Sequence, residues 1–420
     1  MEEHGTPVNA VNETIAIIGG GPAGLFCALQ AAGAGGDVVL FEKKPAPGKK
    51  LLIAGSGQCN LTHDGEIGDF LSHYGDHGAF LRPALMNFTN RDLIAFFADR
   101  GLRMETEPRG KVFPETRTSA DVLAVLLTEC AARGVEIRCN DPVLAVERDG
   151  DGFIVRTAKA AVRAGVLVLA TGGASYPATG STGDGYAFAR ALGQPTTEVA
   201  PALAPVYVED YPFADLAGIS FQNLTLSVYR DGKRVGRHAG DLLFTHTGLS
   251  GPGILDLSRS IRPRDELRVT FLPGASAEEV RKHLADAIAA GGARQVKTVL
   301  CDLALPERFV RRLLDLAGIP AGETCAQLRK NSRNALAASL AEYPFRVERL
   351  GGFNEAMVTR GGVALEGINK KTMASKIVEN LYCIGETLDI DGDTGGYNLQ
   401  AAFSTAALAA GHIAGVYASR

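Results

Sequence analysis

Cysteine chemistry is the first thing this 420-residue sequence withholds. Its seven cysteines, at 27, 59, 130, 139, 301, 325 and 383, are scattered and form no Cys-x-x-Cys pair. That spacing argues against structural zinc, an iron–sulfur cluster and a disulfide scaffold. Charge of one sign is scarce too: 43 Lys+Arg stand against 47 Asp+Glu, a net −4. No block of Lys/Arg stands out beyond Lys43-Lys44, directly after Glu42, and Lys49-Lys50, so no nucleic-acid partner is expected. No apolar run reads as long enough to span a membrane. The opening residues 1–14 are polar and acidic, unlike a signal peptide. There is no internal repeat and no low-complexity tract. These absences lead to the expectation of a soluble, cytoplasmic protein that binds neither nucleic acid nor membrane. They specify no oligomeric state.

What is present is apolar residues, 46% of the chain, and 50 glycines. They combine most tellingly at 14–42, TIAIIGGGPAGLFCALQAAGAGGDVVLFE. An apolar run, Ile15 to Ile18, is followed by Gly19, Gly21 and Gly24 in GxGxxG register. Next come an alanine-rich helical stretch and a second apolar run that ends in Glu42. This is the strand–turn–helix–strand context that a dinucleotide site requires. Gly19 permits the tight turn, Gly21 lets a pyrophosphate approach, and Gly24 lets helix and strand pack. The helix N-terminus offers free N–H groups and about half a positive charge. Glu42 is placed to accept from a ribose diol.

Further along, helical periodicity is expected over 90–101 and 119–134. Strands are expected over 135–138, 142–146, 152–157 and 166–170. Residues 204–272 turn β-rich, with a hairpin at Asp231-Gly232. A capping box, Ser276 and Glu279, opens a helical stretch over 276–340. Residues 343–350 alternate again. The economical reading is an α/β fold: a doubly wound domain from 12–200 and 351–420, interrupted by a β-barrel-like insert (201–275 and 341–350) that carries a helical insert (276–340).

Four more segments carry chemistry. GKKLLIAGSGQCNLT (48–62) is an apolar strand or turn flanked by glycines and suits a ring system or ribityl chain. Its Cys59 has no nearby partner and reads as a small buried hydrophobe rather than a redox thiol. ATGGASYPATGSTGDGY (170–186) places a Thr-Gly-Gly turn at the carboxyl edge of a strand, where doubly wound sheets bind ligands. Together with the first motif it points to FAD. LFTHTGLSGPGILDLS (243–258) crowds polar groups around His246, the histidine best placed for proton transfer on the substrate side. The insert carrying it is expected to cover the open face of the flavin. LYCIGETLDIDGDTGGYNLQAAFSTAALAAG (381–411) ends a strand at Gly385-Glu386, and Gly395 to Asn398 open a long small-residue helix. Its aspartates do not form a calcium loop, because the glutamate at the twelfth position is missing, and no metal is expected.

The motifs GGGPAGL (19–25), GKKLLIAGSGQCN (48–60), KVFP (111–114), TGGASYPATGSTGDGY (171–186), LFTHTGLSGP (243–252), VTRGGV (358–363), KTMASK (371–376) and GETLDIDGDTGGYNLQ (385–400) give the chain a close resemblance to the BaiN/YhiN-like NAD(P)/FAD-dependent oxidoreductases, some of which are labelled the aminoacetone oxidase family. The resemblance spans nearly the whole chain. It implies a two-dinucleotide-type FAD domain interrupted by a β-barrel with a helical insert. The cofactor site expected from the segments and the resemblance together contains Gly19, Gly21, Pro22, Ala23 and Gly24; Glu42 and Lys43; Lys50, Gly57, Cys59 and Asn60; Thr171, Gly172 and Gly173; Gly385, Glu386 and Asp389; and Gly396, Tyr397, Asn398 and Leu399. The family pattern has serine where Ala54 stands and arginine where Gln58 stands. Losing that fixed cation alters the charge beside the cofactor, so no relative's substrate transfers directly.

The function expected is hydride transfer between flavin and a small or medium organic substrate. NAD(P)H is the expected donor. No second GxGxxG is visible, so a nicotinamide would visit transiently rather than occupy its own domain. The alternatives are an O2-using amine oxidase and a flavin-binding redox sensor without turnover. RNA modification by a flavoenzyme is a further reading that the near-neutral charge weighs against.

Overall fold

The computed structural model describes residues 14–34 and 36–418, and the polar opening segment up to residue 13 lies outside them. The chain forms two compact units: the described residues through Pro201 together with those from Met357 onward, and Ala202–Ala356.

The first unit is built on a five-stranded sheet. Its strands are β1 (Ile15–Ile18), β2 (Val38–Phe41), β3 (Glu136–Arg138), β4 (Val166–Leu169) and β5 (Leu381–Cys383). They lie side by side in the order β5-β4-β1-β2-β3, and every pair is parallel. β1, β2 and β4 are buried at every position, as expected of strands covered on both faces. Ile18 stands opposite both Phe41 and Leu169, and Leu169 opposite Cys383. The carboxyl ends of β1, β4 and β5 therefore share one edge, although they come from opposite ends of the sequence. A three-stranded antiparallel sheet follows, with strands Val143–Asp149, Gly152–Thr157 and Ala161–Ala164. The last of these, four residues without clear alternation, was not legible in the sequence.

Helix α1 (Pro22–Ala31) crosses from β1 to β2. It packs against the C-terminal helix α2 (Tyr397–Ala418), where Phe26 meets Phe403 edge-on at 5.2 Å. Twenty residues of α2, Tyr397–Val416, are long and apolar enough by length and composition to cross a membrane, which corrects the expectation that no such run exists. The helix is nonetheless a core element. Its Gln400, Ser404 and Thr405 are fully buried, and Gln400 and Ser404 both hydrogen-bond to the Phe88 carbonyl.

The second unit is a closed six-stranded barrel of Val206–Val208, Ser220–Arg230, Lys233–Phe244, Gly248–Ser250, Glu266–Thr270 and Tyr343–Leu350. Asp231 and Gly232, both at positive φ (50° and 75°), make the tight hairpin turn that matches strand twist. Helices Ala277–Gly291, Val296–Asp302, Glu307–Leu316 and Lys330–Ala341 follow the fifth strand. The first of them starts at the expected capping box: the Ser276 N–H donates to Glu279 at 2.7 Å and the Glu279 N–H to Ser276 Oγ at 3.2 Å. Phe271 at the barrel edge packs on Phe309 at 4.5 Å, so barrel and helices share one core.

Candidate functional site

The three fingerprint glycines have three different structural reasons. Gly19 stands at φ +114°, and a Cβ there would lie 2.3 Å from the Ala170 carbonyl oxygen of the neighbouring strand end. A Cβ on Gly24 would lie 1.9 Å from the Gly19 oxygen, so this position lets the helix dock on the strand. At Gly21, by contrast, a Cβ would meet nothing within 4 Å among the described residues. Packing does not require glycine at Gly21, and open space faces it. Gly21 is the N-cap of α1 and no side chain caps it, with Pro22 at the first helical position. The first N–H groups of the helix therefore remain for a ligand. This open cradle fits a pyrophosphate.

Glu42 closes β2 and points back at that turn. Its carboxylate accepts from the Gly20 N–H at 3.0 Å and from the Lys44 N–H at 2.7 Å. Each oxygen keeps a lone pair beyond these bonds. Lys43, the next residue, pairs with Asp184 at 2.5 Å and with Thr182. Burial disfavours the Asp184 charge, but Lys43 and Thr182 together hold its carboxyl below the usual range.

At the shared sheet edge the ends of β4 and β5 are stitched together. The Gly172 N–H donates to Thr387 Oγ1 at 3.1 Å, and Thr171 Oγ1 lies 3.4 Å from the same hydroxyl. Glu386 pairs with Lys50 at 2.7 Å and accepts from the Thr359 N–H at 2.9 Å. A Cβ on Gly173 would fall 2.5 Å from Thr359 Oγ1 and 2.8 Å from Glu386 Oε1. Gly385 sits under α1, where an added Cβ would come within 2.9 Å of the Ala23 Cβ. Four widely separated segments thus converge on one edge. Thr359 and Thr387 were not singled out from sequence. Thr359 is fully buried and its hydroxyl accepts from the Ala174 and Ser175 N–H groups at 2.9 and 3.0 Å. The signal was present in Thr359-Arg360-Gly361-Gly362, which echoes Thr171-Gly172-Gly173. Tyr186 adds a buried phenol with no hydrogen-bond partner among the described residues. Burial, then the nearby Glu386 and Asp389, push its ionisation up.

Other expected site residues act first on the loops. Asp389 accepts from the Gly361 N–H at 3.0 Å and Thr197 Oγ1 at 2.9 Å. Asn398 accepts from the Gly392 N–H at 2.8 Å and donates to the carbonyls of Gly392 and Asp393. Leu399 is half-buried against the core. Gly396 has φ +99°, and a Cβ would lie 2.5 Å from the Thr62 backbone, so the start of α2 rests directly on residues 60–62. There Asn60, with its amide oriented as its neighbours require, accepts from the Gly396 N–H at 3.2 Å.

The segment 48–62 is neither strand nor simple turn. Leu51–Gly57 is a 3-10 stretch broken by left-handed residues Gly55 and Ser56. Gly57 follows at φ +87°, where a Cβ would meet only the Leu52 oxygen at 3.7 Å. Gln58, at the position of the family arginine, is exposed. Cys59 is fully buried, and burial pushes its thiol up to about 12, which makes it inert as a nucleophile. His246 lies in the other unit, exposed in the turn between barrel strands Lys233–Phe244 and Gly248–Ser250. The Thr245 N–H closes that turn onto the Gly248 carbonyl at 2.9 Å.

Comparison with known proteins agrees with this geometry. Residues 13–412 match the HI0933-like protein Rossmann domain family. The chain is 33% identical over 408 residues to the 3-dehydro-bile acid delta(4,6)-reductase of Clostridium scindens, covering 94% of this chain and 97% of that protein. It is 33% identical over 397 residues to the ribosomal RNA dihydrouridine synthase of Haemophilus influenzae, covering 93% and 96%. The Escherichia coli protein of the same name is 32% identical over 391 residues, covering 93% and 95%. Among solved structures, the 3-ketosteroid delta1-dehydrogenase of Sterolibacterium denitrificans matches in fold with a TM-score of 0.50 at 12% identity, covering 96% of this chain and 100% of that one. With its open phosphate cradle and its converging strand ends, the chain belongs to the HI0933-like family of Rossmann-type, FAD-binding oxidoreductases.

Proposed function

We propose that the protein is a flavin-dependent reductase that saturates a carbon–carbon double bond conjugated to a carbonyl, in a small or medium organic substrate, with NAD(P)H as electron donor. One observation carries this reading: the relatives, matched over nearly their full lengths, are named for a single type of reaction. A 3-oxo steroid with 4,6 double bonds is a conjugated dienone. Uracil carries its 5,6 double bond in conjugation with the 4-carbonyl. Both accept a hydride at the carbon β to a carbonyl.

Bound FAD would supply that hydride and the means to receive it from a nicotinamide. The chain's residues position and tune. The Gly21 turn and the first N–H groups of α1 would hold the pyrophosphate, and Glu42 the ribose. Thr171 to Gly173, Glu386 and Lys50 would flank the ribityl chain and ring, and the Lys50–Glu386 pair keeps two charges neutralised in a part-buried place. The start of α2 would stabilise negative charge on the reduced ring. His246 is our candidate for a polar group on the substrate side. The seven cysteines are all free thiols, which suits a reducing, cytoplasmic setting.

A second reading, reduction of a uracil in RNA, is favoured by the two dihydrouridine synthase relatives. We prefer the small molecule because the net charge of −4 offers little to a polyanion. The experiment is anaerobic. NADH, NADPH and simple amines are compared for bleaching of the bound flavin. The reduced enzyme is then mixed with a 3-oxo-delta(4,6) bile acid or with unmodified ribosomal RNA. Bleaching by a nicotinamide and reoxidation by the dienone support the proposal. Bleaching by amines alone overturns it, and reoxidation by RNA alone selects the second reading.

A further inference from the structure

Next to the start of α2 the structure gathers His73, Asp393 and the phenol of Tyr397; the histidine and the carboxylate are not among the residues expected at the cofactor. His73 belongs to the turn-rich stretch Asp69–His77, and Asp393 lies two residues before Gly395-Gly396. The two are fastened twice. His73 Nδ1 is 3.0 Å from Asp393 Oδ2, and the Asp393 N–H donates to the His73 carbonyl at 2.9 Å. The imidazole lies flat on the Tyr397 ring, with centroids 3.9 Å apart and planes at 12°. His63 runs nearly parallel to the same ring at 5.5 Å. Tyr74 donates to the Tyr397 carbonyl at 2.8 Å, and the Asn398 amide grips the backbone of Gly392 and Asp393.

This bracing decides which nitrogen of His73 is available. A carboxylate on Nδ1 fixes the proton there and leaves Nε2 as the working nitrogen. Nε2 has no partner among the described residues, and the side chain is 35% exposed, so the ring can exchange protons with water. The charge of a doubly protonated ring is balanced by Asp393 at 3.0 Å. The titratable groups around it are Asp393 and Tyr397 from the C-terminal loop and helix, Tyr74 beside it in the chain, and His63 across the Tyr397 ring.

We propose that His73, oriented by Asp393 and braced on Tyr397, is the acid that protonates the substrate when its double bond is reduced. The inference rests on the reductase reading above. With FAD bound, the reduced cofactor would supply a hydride to the substrate's β-carbon, and the π pair would move onto the α-carbon and carbonyl oxygen. His73 passes the Nε2 proton to the α-carbon, and solvent restores that proton afterwards. One hydride from the reduced cofactor and one proton from His73 balance one saturated double bond.

The test mixes dithionite-reduced holoenzyme with a 3-oxo-delta(4,6) bile acid in an anaerobic stopped-flow, comparing wild type with His73→Gln and Asp393→Asn. Both variants should retain FAD. His73→Gln should slow reoxidation by roughly 10²–10⁴-fold, the usual worth of a positioned acid, and Asp393→Asn by less. Nitrogen NMR of the imidazoles should show neutral His73 protonated on Nδ1 in wild type, and a mixed tautomer in Asp393→Asn. A His73→Gln rate within about threefold of wild type, well short of what an acid contributes, overturns the inference, as does an unchanged tautomer in Asp393→Asn. Loss of FAD from His73→Gln while Asp393→Asn keeps full rate assigns the cluster a structural role and overturns it too. If wild type is reoxidised by neither the bile acid nor ribosomal RNA, the reductase reading itself fails and the inference falls with it. If wild type turns over and the variants match it, only the dyad is wrong.

Discussion

Gly21 and Gly24 sit three residues apart in one turn, yet alanine should act on different properties at the two. At Gly21 a Cβ meets nothing within 4 Å, and φ is −79°, a value any residue adopts. Gly21→Ala should leave apo-protein stability unchanged or raise it by about 0.4–1 kcal/mol through the lower entropy of the unfolded chain. The new methyl would occupy the space through which a pyrophosphate reaches the helix N–H groups. Losing one hydrogen bond to a charged group costs about 1.5–3 kcal/mol, or roughly 10- to 150-fold in FAD dissociation constant. At Gly24 a Cβ would lie 1.9 Å from the Gly19 oxygen, so α1 must lift off β1. Gly24→Ala should cost about 1–3 kcal/mol of apo stability and weaken FAD binding only as a consequence. The assay is paired: urea unfolding of each apo-protein, and FAD titration by quenching of flavin fluorescence. If Gly21→Ala binds FAD as wild type does, no phosphate passes over Gly21 and the cradle is misassigned. If Gly24→Ala is as stable as wild type, the close helix–strand contact is not what holds the turn.

Glu42→Ala should weaken FAD binding by about 1–3 kcal/mol, since it removes charge-assisted hydrogen bonds; unchanged affinity in the same titration would show that the carboxylate serves only the Gly20 and Lys44 N–H groups. His246→Ala should keep the flavin spectrum and lower turnover, and a variant that loses FAD or fails to fold would give His246 a structural role instead. Gly396→Val would drive a side chain into the Thr62 backbone, only 2.5 Å from its Cβ; it should lose FAD on gel filtration while far-UV circular dichroism is retained. Burial pushes the thiols of Cys27, Cys59 and Cys383 from 9.0 up to about 12. Above pH 9 the unfolded chain therefore sheds protons that the folded one keeps, and stability should fall with rising pH up to about pH 12, by up to about 1.4 kcal/mol per pH unit for each thiol. Urea unfolding against pH should show this slope, and Cys→Ala at any of the three should flatten it.

The parts of this protein that were legible in the sequence are those where one local rule decides. The apolar strands Ile15–Ile18 and Val166–Leu169 are covered on both faces, so an unbroken apolar run marks them. Ser276 with Glu279 marks a helix start because the two groups cap each other, and Asp231-Gly232 marks a hairpin because both residues take positive φ. Illegible parts depend on partners far away in the chain. Thr359 matters because its hydroxyl meets the Ala174 and Ser175 N–H groups, some 185 positions earlier; its own Thr-Arg-Gly-Gly run echoes Thr171-Gly172-Gly173 but does not say which groups it meets. Segment 48–62 looked like a strand or turn, but the left-handed pair Gly55-Ser56 folds it back on itself. The length of α2 misled in the opposite sense. Its composition suits lipid, yet its buried polar residues Gln400, Ser404 and Thr405 each find a hydrogen bond inside the unit.

The C-terminal loop shows how the same limit applies to function. Sequence placed Asp389, Tyr397 and Asn398 at the cofactor by their motif, but a motif does not say what each side chain touches. Asp389 is hydrogen-bonded to Gly361 and Thr197, and Asn398 holds the backbone of Gly392 and Asp393 just before the Gly395-Gly396 turn. A helix terminus stabilises a developing charge only if its donors are already in place when that charge appears. Side chains that hold such a loop still are thus part of the site even where none of them reaches the ligand. By the same reasoning the Tyr397 ring, stacked on His73, ties the position of a titratable group to the first turn of the helix. Any movement of that turn on cofactor binding would be transmitted to His73.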